Sequence, residues 1–346
     1  AVAQAAIVLS GATVSAEDFS TRGPLFARLA TPMKSIQDGK PFREALESIA
    51  KQVELNLWLD RRVDPSAAVA AGPVGPTVSA AIEQIAAERE CVMMAVRNVV
   101  LVGRPAWVDA TAATLLSLPD AGTRPDTSAV SWDALSTPEE AIKAASNASL
   151  PEMSHSLPHD LWPAVEWRQI DRRVAISLVL AQFDLRPHAT TSPSAIQCEP
   201  ATARGRYSRR YGAGEDSASV RSAIQNADRK AVIRADAAWL QITATSAAHR
   251  AATKAMLAAE SKRVRPADDQ GNLTFSLKPT HATAGDLLSS FAKTAGRKCV
   301  IDPAAAAACS QMVTIEAENQ TLRQLIDRVA KKAGVNAKWG QDEIVI

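Results

Sequence analysis

Apolar positions along this chain recur in short runs of two periods, and one order of runs comes round more than once. Leu322, Leu325, Ile326, Val329 and Ala330 fall at i, i+3, i+4, i+7 and i+8, one face of an amphipathic helix. Gly334 stands where a left-handed cap would end it. "VNAKW" and "EIVI" then read as two strands joined at "GQD". Upstream, "LTFSL" alternates, with Leu273, Phe275 and Leu277 on one side. Ala284, Leu287, Leu288, Phe291, Ala292 and Ala295 form a second helical stripe with Gly296 as its stop, and "KCVID", ended by Pro303, and "MVTIEAE" read as strands. The order is β-α-β-β-α-β-β. It predicts a small α+β unit over 273–346, a mixed sheet with two helices laid on it, each burying its apolar stripe.

The same phase appears near the start. Phe42, Ala45, Leu46, Ile49, Ala50 and Val53 make one helical face, "LNLWLD" a strand, and Val78, Ala81, Ile82, Ile85 and Ala86 a second face. "CVMMAV" and "VVLV" close this copy, turning at Arg97-Asn98. The two helix starts are separated by nearly the same distance in both copies, which reads as an internal repeat. A looser third copy lies between them. Thr137 caps a helix that begins at Pro138, "LPHDLWP" (157–163) falls at the strand position, and "IDRRVAISLVLAQFDL" (170–185) is apolar nearly all round, the mark of the most buried helix. The likeness ends after Pro200. "VVLVGRPAWVDATAATLLSL" and "WLQITATSAAHRAATKAMLAA" both read as strand, loop and helix, an extension shared by the first two copies. The expected architecture is therefore three tandem β-α-β-β-α-β domains at 35–118, 131–260 and 273–346, with polar linkers at 119–130 and 261–272.

Composition adds limits. Of 346 residues 47% are hydrophobic but only 4% aromatic, so the cores are small and aliphatic. Basic and acidic residues number 39 and 37, a balance that gives no general case for nucleic-acid or membrane-surface binding. No stretch reaches the roughly 20 apolar residues of a membrane-spanning helix. Residues 1–16 read as the tail of a secretory signal, with Val14-Ser15-Ala16 as a cleavage site before Glu17; the alternative is an Ala-rich strand or helix. The four cysteines form no CxxC. In an exported protein Cys299 and Cys309 could pair across a short loop; unpaired core thiols are the equal alternative.

Candidate chemistry is sparse. No GxSxG, HExxH, P-loop or GxGxxG is present, so no enzyme, cofactor or metal site is expected. His155 and His159 share an i, i+4 spacing, but Pro158 breaks the helix that would align them. His249 reads as a helix-boundary residue, and the acidic side chains Glu44, Glu47, Glu83 and Asp327 fall on solvated faces. One stretch stands apart. "ARGRYSRRYGAGED" (203–216) interleaves Arg204, Arg206, Arg209 and Arg210 with Tyr207 and Tyr211, the chain's two tyrosines. Arg with Tyr suits binding hot spots, phosphate contacts or stacking. Read as a loop, it is a candidate binding segment; a solvated insertion is the competing reading.

These units resemble the short N-terminal domain shared by secretins and TonB-dependent receptors. "DLLSSFAKTAGRKCVIDP", "MVTIEAENQTLRQLIDRVAKKAGVNAKW" and "GQDEIVI" carry the resemblance in the last unit. "REALESIAKQVELNLWLD" and "SAAIEQIAAERECVMMAVRNVVLV" carry it in the first. "RKAVIRADAAWLQITATSAAHRAATKAMLAA" is similar to the end of a secretin ring-building domain. The resemblance implies a periplasmic or secreted, non-enzymatic array that docks envelope proteins of a secretion, pilus or TonB uptake system, and is compatible with an oligomer. In that family such modules precede a pore domain; part of such a protein and a soluble array both remain open here. The second expectation is an anionic-polymer binder, for DNA or polysaccharide, built on Arg206, Arg209, Arg210 and the tyrosines. Balanced net charge favours a protein or an envelope polymer over nucleic acid.

Overall fold

A computed structural model describes residues 23–346 apart from 34, 38, 71–72, 120–126, 147–151, 155, 189–194, 213–216, 236–238, 264–273, 295–296 and 341–342. The secretory-signal reading of 1–16, His155, the helix stop at Gly296 and most of the second linker lie outside the described residues. The protein is mixed α+β, with helices packed on several small sheets.

The chain opens with α1 (Pro24–Ala30), β1 (Ser35–Ile36), α2 (Phe42–Gln52), β2 (Leu57–Leu59), β3 (Pro73–Val74), α3 (Val78–Ala87), β4 (Val92–Val96), β5 (Val99–Gly103) and α4 (Pro105–Ser117). β1 runs antiparallel to β3, while β5 pairs with β2 in parallel and with β4 in antiparallel fashion. The next stretch holds β6 (Thr127–Trp132), α5 (Pro138–Ser146), β7 (Glu152–Met153), β8 (Val165–Asp171), α6 (Arg172–Ala181), β9 (Leu185–Pro187), β10 (Ala195–Ile196) and β11 (Cys198–Pro200). Its pairing is the same. β6 is antiparallel to β8, and β10–β11, one run interrupted at Gln197, pairs in parallel with β7 and antiparallel with β9. A three-stranded sheet follows: β12 (Tyr207–Gly212), α7 (Ser217–Ala227), β13 (Val232–Ala235), β14 (Trp239–Ala244) and α8 (Ser246–Arg263). Last come β15 (Thr274–Thr283), α9 (Ala284–Thr294), β16 (Lys298–Val300), α10 (Ala306–Cys309), β17 (Met312–Thr321), α11 (Leu322–Ala333), β18 (Lys338–Trp339) and β19 (Glu343–Val345). The scheme returns a third time, with β15 antiparallel to β17, and β19 parallel to β16 and antiparallel to β18.

Three expectations need correcting. Within each copy the strands do not join one mixed sheet; they split into two separate ladders, and the helix pair touches both. The stripe of α11, six buried residues from Leu322 to Ala333, is broad enough to cover two neighbours. "LPHDLWP" is not a strand: Pro158 and Pro163 remove ladder donors, and only an isolated bridge, Ser136 to Trp162, forms there. The middle copy closes at Pro200, so "WLQITATS" is not its closing strand but the centre of the three-stranded sheet.

The helices form for local reasons. α11 carries a capping box, with Thr321 Oγ1 accepting from the Gln324 N–H and the Gln324 side chain accepting from the Thr321 N–H. Gly334 closes it at φ 73°, with nothing near the place a Cβ would occupy. Gly334→Ala is therefore a purely conformational change, expected to cost about 1 kcal/mol and to lower the melting temperature of the 284–346 unit by a few degrees. α5 has the same box between Thr137 and Glu140.

Packing joins the first two copies more closely than tandem repetition requires. One hydrophobic cluster runs from Leu25 to Leu257, and a second, separate one from Ala284 to Ile346. The seam in the large cluster is built of tryptophan. Trp58 packs edge-on against Trp132, Trp162 and Trp167, with ring centroids 5.0–6.1 Å apart. α6 is buried at seven of its ten positions, so its last carbonyls meet no water. Trp58 Nε1 donates to Leu178 O and Trp107 Nε1 to Ala181 O, both at 2.9 Å. The first copy thus satisfies the C-terminal end of the second copy's central helix. Asn56 completes the seam, its amide donating to Arg168 O at 2.8 Å and accepting from Arg168 N at 2.8 Å. Asp60, 1% exposed, holds Arg104 at 2.7 Å beside Gly103. A Cβ at Gly103 would lie 2.4 Å from the Asp60 Cβ. The terminal unit is tied on by a strand, with Ser35 and Ile36 of β1 pairing in parallel with Thr274 and Phe275 of β15.

Candidate interaction surface

The Arg/Tyr stretch is not a loop. From Tyr207 to Gly212 it is an edge strand of the three-stranded sheet, and strand alternation divides its residues between two faces. Tyr207, Arg209 and Tyr211 point to the helix-covered side. Ser208 and Arg210 point outward and are exposed.

On the inner side each residue is held. Tyr211 is 1% exposed and its hydroxyl lies 2.7 Å from His249 Nδ1; His249 Nε2 lies 2.9 Å from Tyr207 O. A backbone carbonyl only accepts, so Nε2 carries the proton, and Nδ1 accepts from the tyrosine hydroxyl. His249 is fully buried and neutral: burial lowers its pKa to about 4, opposed by the bond to Tyr207 O and modulated by Arg209 and Asp228 nearby. Burial also pushes the Tyr211 phenol far above its ordinary value. His249 is thus more than a boundary residue: it locks α8 to β12.

Arg209 crosses to the first copy. Its Nη2 donates to Leu116 O and, at 3.3 Å, to Leu118 O. Arg97 Nη2 donates to the same Leu118 O at 2.7 Å. Two cations therefore finish the C-terminal end of α4, where the helix dipole is negative. Arg206 bonds to Lys230 O and pairs with Asp228 at 3.2 Å. Burial opposes ionisation of Asp228, but the N–H donors of Thr245 and Lys230 and the Arg206 guanidinium keep its pKa below the usual carboxylate value. Of the six residues singled out in sequence, Arg204 and Arg210 remain exposed with no described side-chain partner; Arg206, Tyr207, Arg209 and Tyr211 hold the fold.

The outer face supplies what sequence reasoning missed. Cross-strand register places Arg210 opposite Gln241 and Gln241 opposite Arg234; Ser208, Thr243 and Val232 form the next row. Val232, Arg234, Gln241 and Thr243 line a shallow hollow of about 280 Å³. Val232 is 51% exposed, and neither Arg210 nor Arg234 makes an ion pair with a described residue. The signal was in the sequence only as alternation in "AVIRAD" and "WLQITA", and which side the helices would cover could not be read from it.

Other candidates are settled more simply. His159 is exposed on a loop, and His281 Nδ1 lies 2.7 Å from Thr314 Oγ1. Among the described residues no group of three or more His, Cys, Asp or Glu is placed to hold a metal ion, and no helix is long and apolar enough to cross a membrane. Cys299 and Cys309 pack against the same terminal cluster as free thiols; burial raises the Cys309 pKa and the neighbouring Cys299 adds to it. The long edge strand β17 is guarded, since Arg328 donates to Glu316 O at 3.0 Å and Lys332 donates to Thr314 O at 2.5 Å. Compared with known proteins, the chain matches no family model, no curated protein and no solved structure.

Proposed function

We propose that this chain is a non-enzymatic docking protein of the cell envelope, a tandem array of small β-α-β-β-α-β domains of the kind found in secretins and TonB-dependent receptors. It holds a partner protein of a secretion, pilus or uptake assembly in the periplasm. The observation that carries the reading is the outer face of the β12–β14–β13 sheet, where exposed Val232 and Arg234 line a hollow with Gln241 and Thr243 and exposed Arg210 stands beside Gln241, while the other face is packed on helices. Two further facts support it. One strand-pairing scheme recurs three times. The chain also joins its own parts by strand addition, β1 on β15, the mode in which an exposed edge accepts a partner segment.

Arg234→Glu combined with Arg210→Glu tests the reading. Both side chains are exposed, so the variant folds with an unchanged melting temperature. Immobilised wild-type protein captures an envelope protein from extract, and the variant loses at least about tenfold of that capture. Equal capture by both proteins would remove the sheet face from the account. An anionic-polymer reading would rest on Arg210 and Arg204, because Arg209 is tied to the end of α4 and Arg206, though exposed, is paired with Asp228.

A further inference from the structure

Two large apolar side chains are exposed together in the middle copy. Leu135 is 70% and Leu161 61% exposed. They sit on adjoining strands of backbone: Leu135 N donates to Trp162 O at 2.7 Å and Trp162 N to Ser136 O at 2.9 Å. Trp162 itself points inward, stacked on Phe183 with centroids 5.9 Å apart. The pair is therefore mounted on the tryptophan seam.

Leu135 is costly where it stands. It is the third residue of a turn closed by Ser136 N to Asp133 O at 3.3 Å, and its φ is 69°. Turns with a left-handed third residue take glycine or asparagine there, because a Cβ is strained. A leucine at this place is both backbone-strained and hydrated, and neither cost stabilises the fold. Asp133 and Glu139, both exposed and without an ion pair to a described residue, flank it together with Glu140, which caps α5. The projection is apolar and acidic on its Leu135 side; beside Leu161, Asp160 is paired with Arg61, and His159 lies near Glu140.

The hollow on the outer sheet face has the opposite character. It is about 280 Å³, open on one side and lined by Val232, Arg234, Gln241 and Thr243, with Arg210 on the neighbouring strand beside Gln241. That is at the small end for a small-molecule pocket and suits inserted side chains better. We propose that the chain associates head to tail with a second copy of itself, the Leu135–Leu161 projection of one copy seated in the Val232–Thr243 hollow of the next, with the acidic Leu135 side against Arg210 and Arg234. The two patches differ, so the contact is heterologous and leads to a ring or an open filament. This inference rests on the docking role of the sheet face and names a second copy as an occupant of it.

Sedimentation velocity over a dilution series reads the association. Wild-type protein assembles with rising concentration, less so at high salt, where these charges are screened. Leu135→Gly, which accepts the left-handed backbone, keeps a melting temperature no lower than wild type and weakens association more than about tenfold. The acidic-hollow protein (Arg210→Glu with Arg234→Glu) and the basic-projection protein (Asp133→Arg with Glu139→Arg) are each monomeric alone and associate when mixed. A wild-type monomer up to roughly millimolar concentration, unaltered association of the Leu135→Gly protein, or failure of the mixed pair overturns the proposal. Leu135→Gly leaves the sheet face intact. Envelope capture is therefore expected to survive it; wild-type protein that captures an envelope protein through Arg210 and Arg234 yet never self-associates sinks the second-copy inference alone, and an acidic-hollow protein that keeps both capture and association sinks the docking reading with it.

Discussion

Replacing Trp58 by alanine is expected to destabilise the whole 25–257 body, not only the first copy. The indole is 6% exposed and lies at the centre of four tryptophans, and large-to-small changes at such sites cost about 3–5 kcal/mol. The loss also strips Leu178 O of its donor in a buried place, which adds to the cost. Hydrogen exchange followed along the chain is the measurement. In the Trp58→Ala protein, amide protection falls together in β2, β5 and α6, and the urea midpoint of the large body drops in one step. Protection of α11, which packs in the separate terminal cluster, stays as in the wild type. Loss confined to α2 and β2 would mean that the two copies are independent bodies, contrary to the seam described above.

Mild acid is expected to have the second large effect, through His249. The pKa in the folded protein is about 4, against 6.5 for an unhindered imidazole. The unfolded chain therefore binds more protons than the folded one between these values. The stabilising contribution is whole above pH 6.5, declines as the pH falls, and is gone near pH 4. Its full size is about 3 kcal/mol, of which about 2 kcal/mol is lost by pH 5. The groups facing the ring are Tyr211 and the Tyr207 carbonyl, with the Arg209 guanidinium and the Asp228 carboxylate nearby. Asp228, together with Asp171 and Asp184, is held below its ordinary value, so those contributions fall away only in more acid solution. Urea unfolding at pH 7 and pH 5 separates wild type from His249→Gln. The wild type loses about 2 kcal/mol more than the variant over this interval. Equal losses would show that the histidine is charged in the folded state.

The helices were legible because their apolar stripes are long and their ends are marked. Phe42–Gln52, Val78–Ala87 and Leu322–Ala333 lie where the apolar period placed them, the last ending at Gly334, and so does the hairpin turning at Arg97-Asn98. Pairing was less legible. Strands of two or three residues, such as Ser35–Ile36 and Glu152–Met153, carry almost no periodic signal, and their ladders are settled by which helix face lies beneath them. The tryptophan seam was hidden for another reason. Trp58 and Trp162 are far apart in sequence, and an indole N–H that finishes another copy's helix is a tertiary event with no local mark. The Arg/Tyr stretch stands out in the sequence by composition alone. Its composition could not say that strand alternation turns Arg209 and Tyr211 inward and Arg210 outward. Gln241 and Arg234 were missed because neither belongs to a motif; cross-strand register alone brings them beside Arg210.

The most direct test of the docking account is photocrosslinking in the living envelope from the outer sheet face. A benzophenone side chain is placed at Gln241 or Arg234, and at Glu44, an exposed position on α2, as the control. The account predicts adducts with another polypeptide from Gln241 and Arg234 and none from Glu44. Absence of any adduct from the sheet face, with the protein folded and present in the envelope, would contradict it.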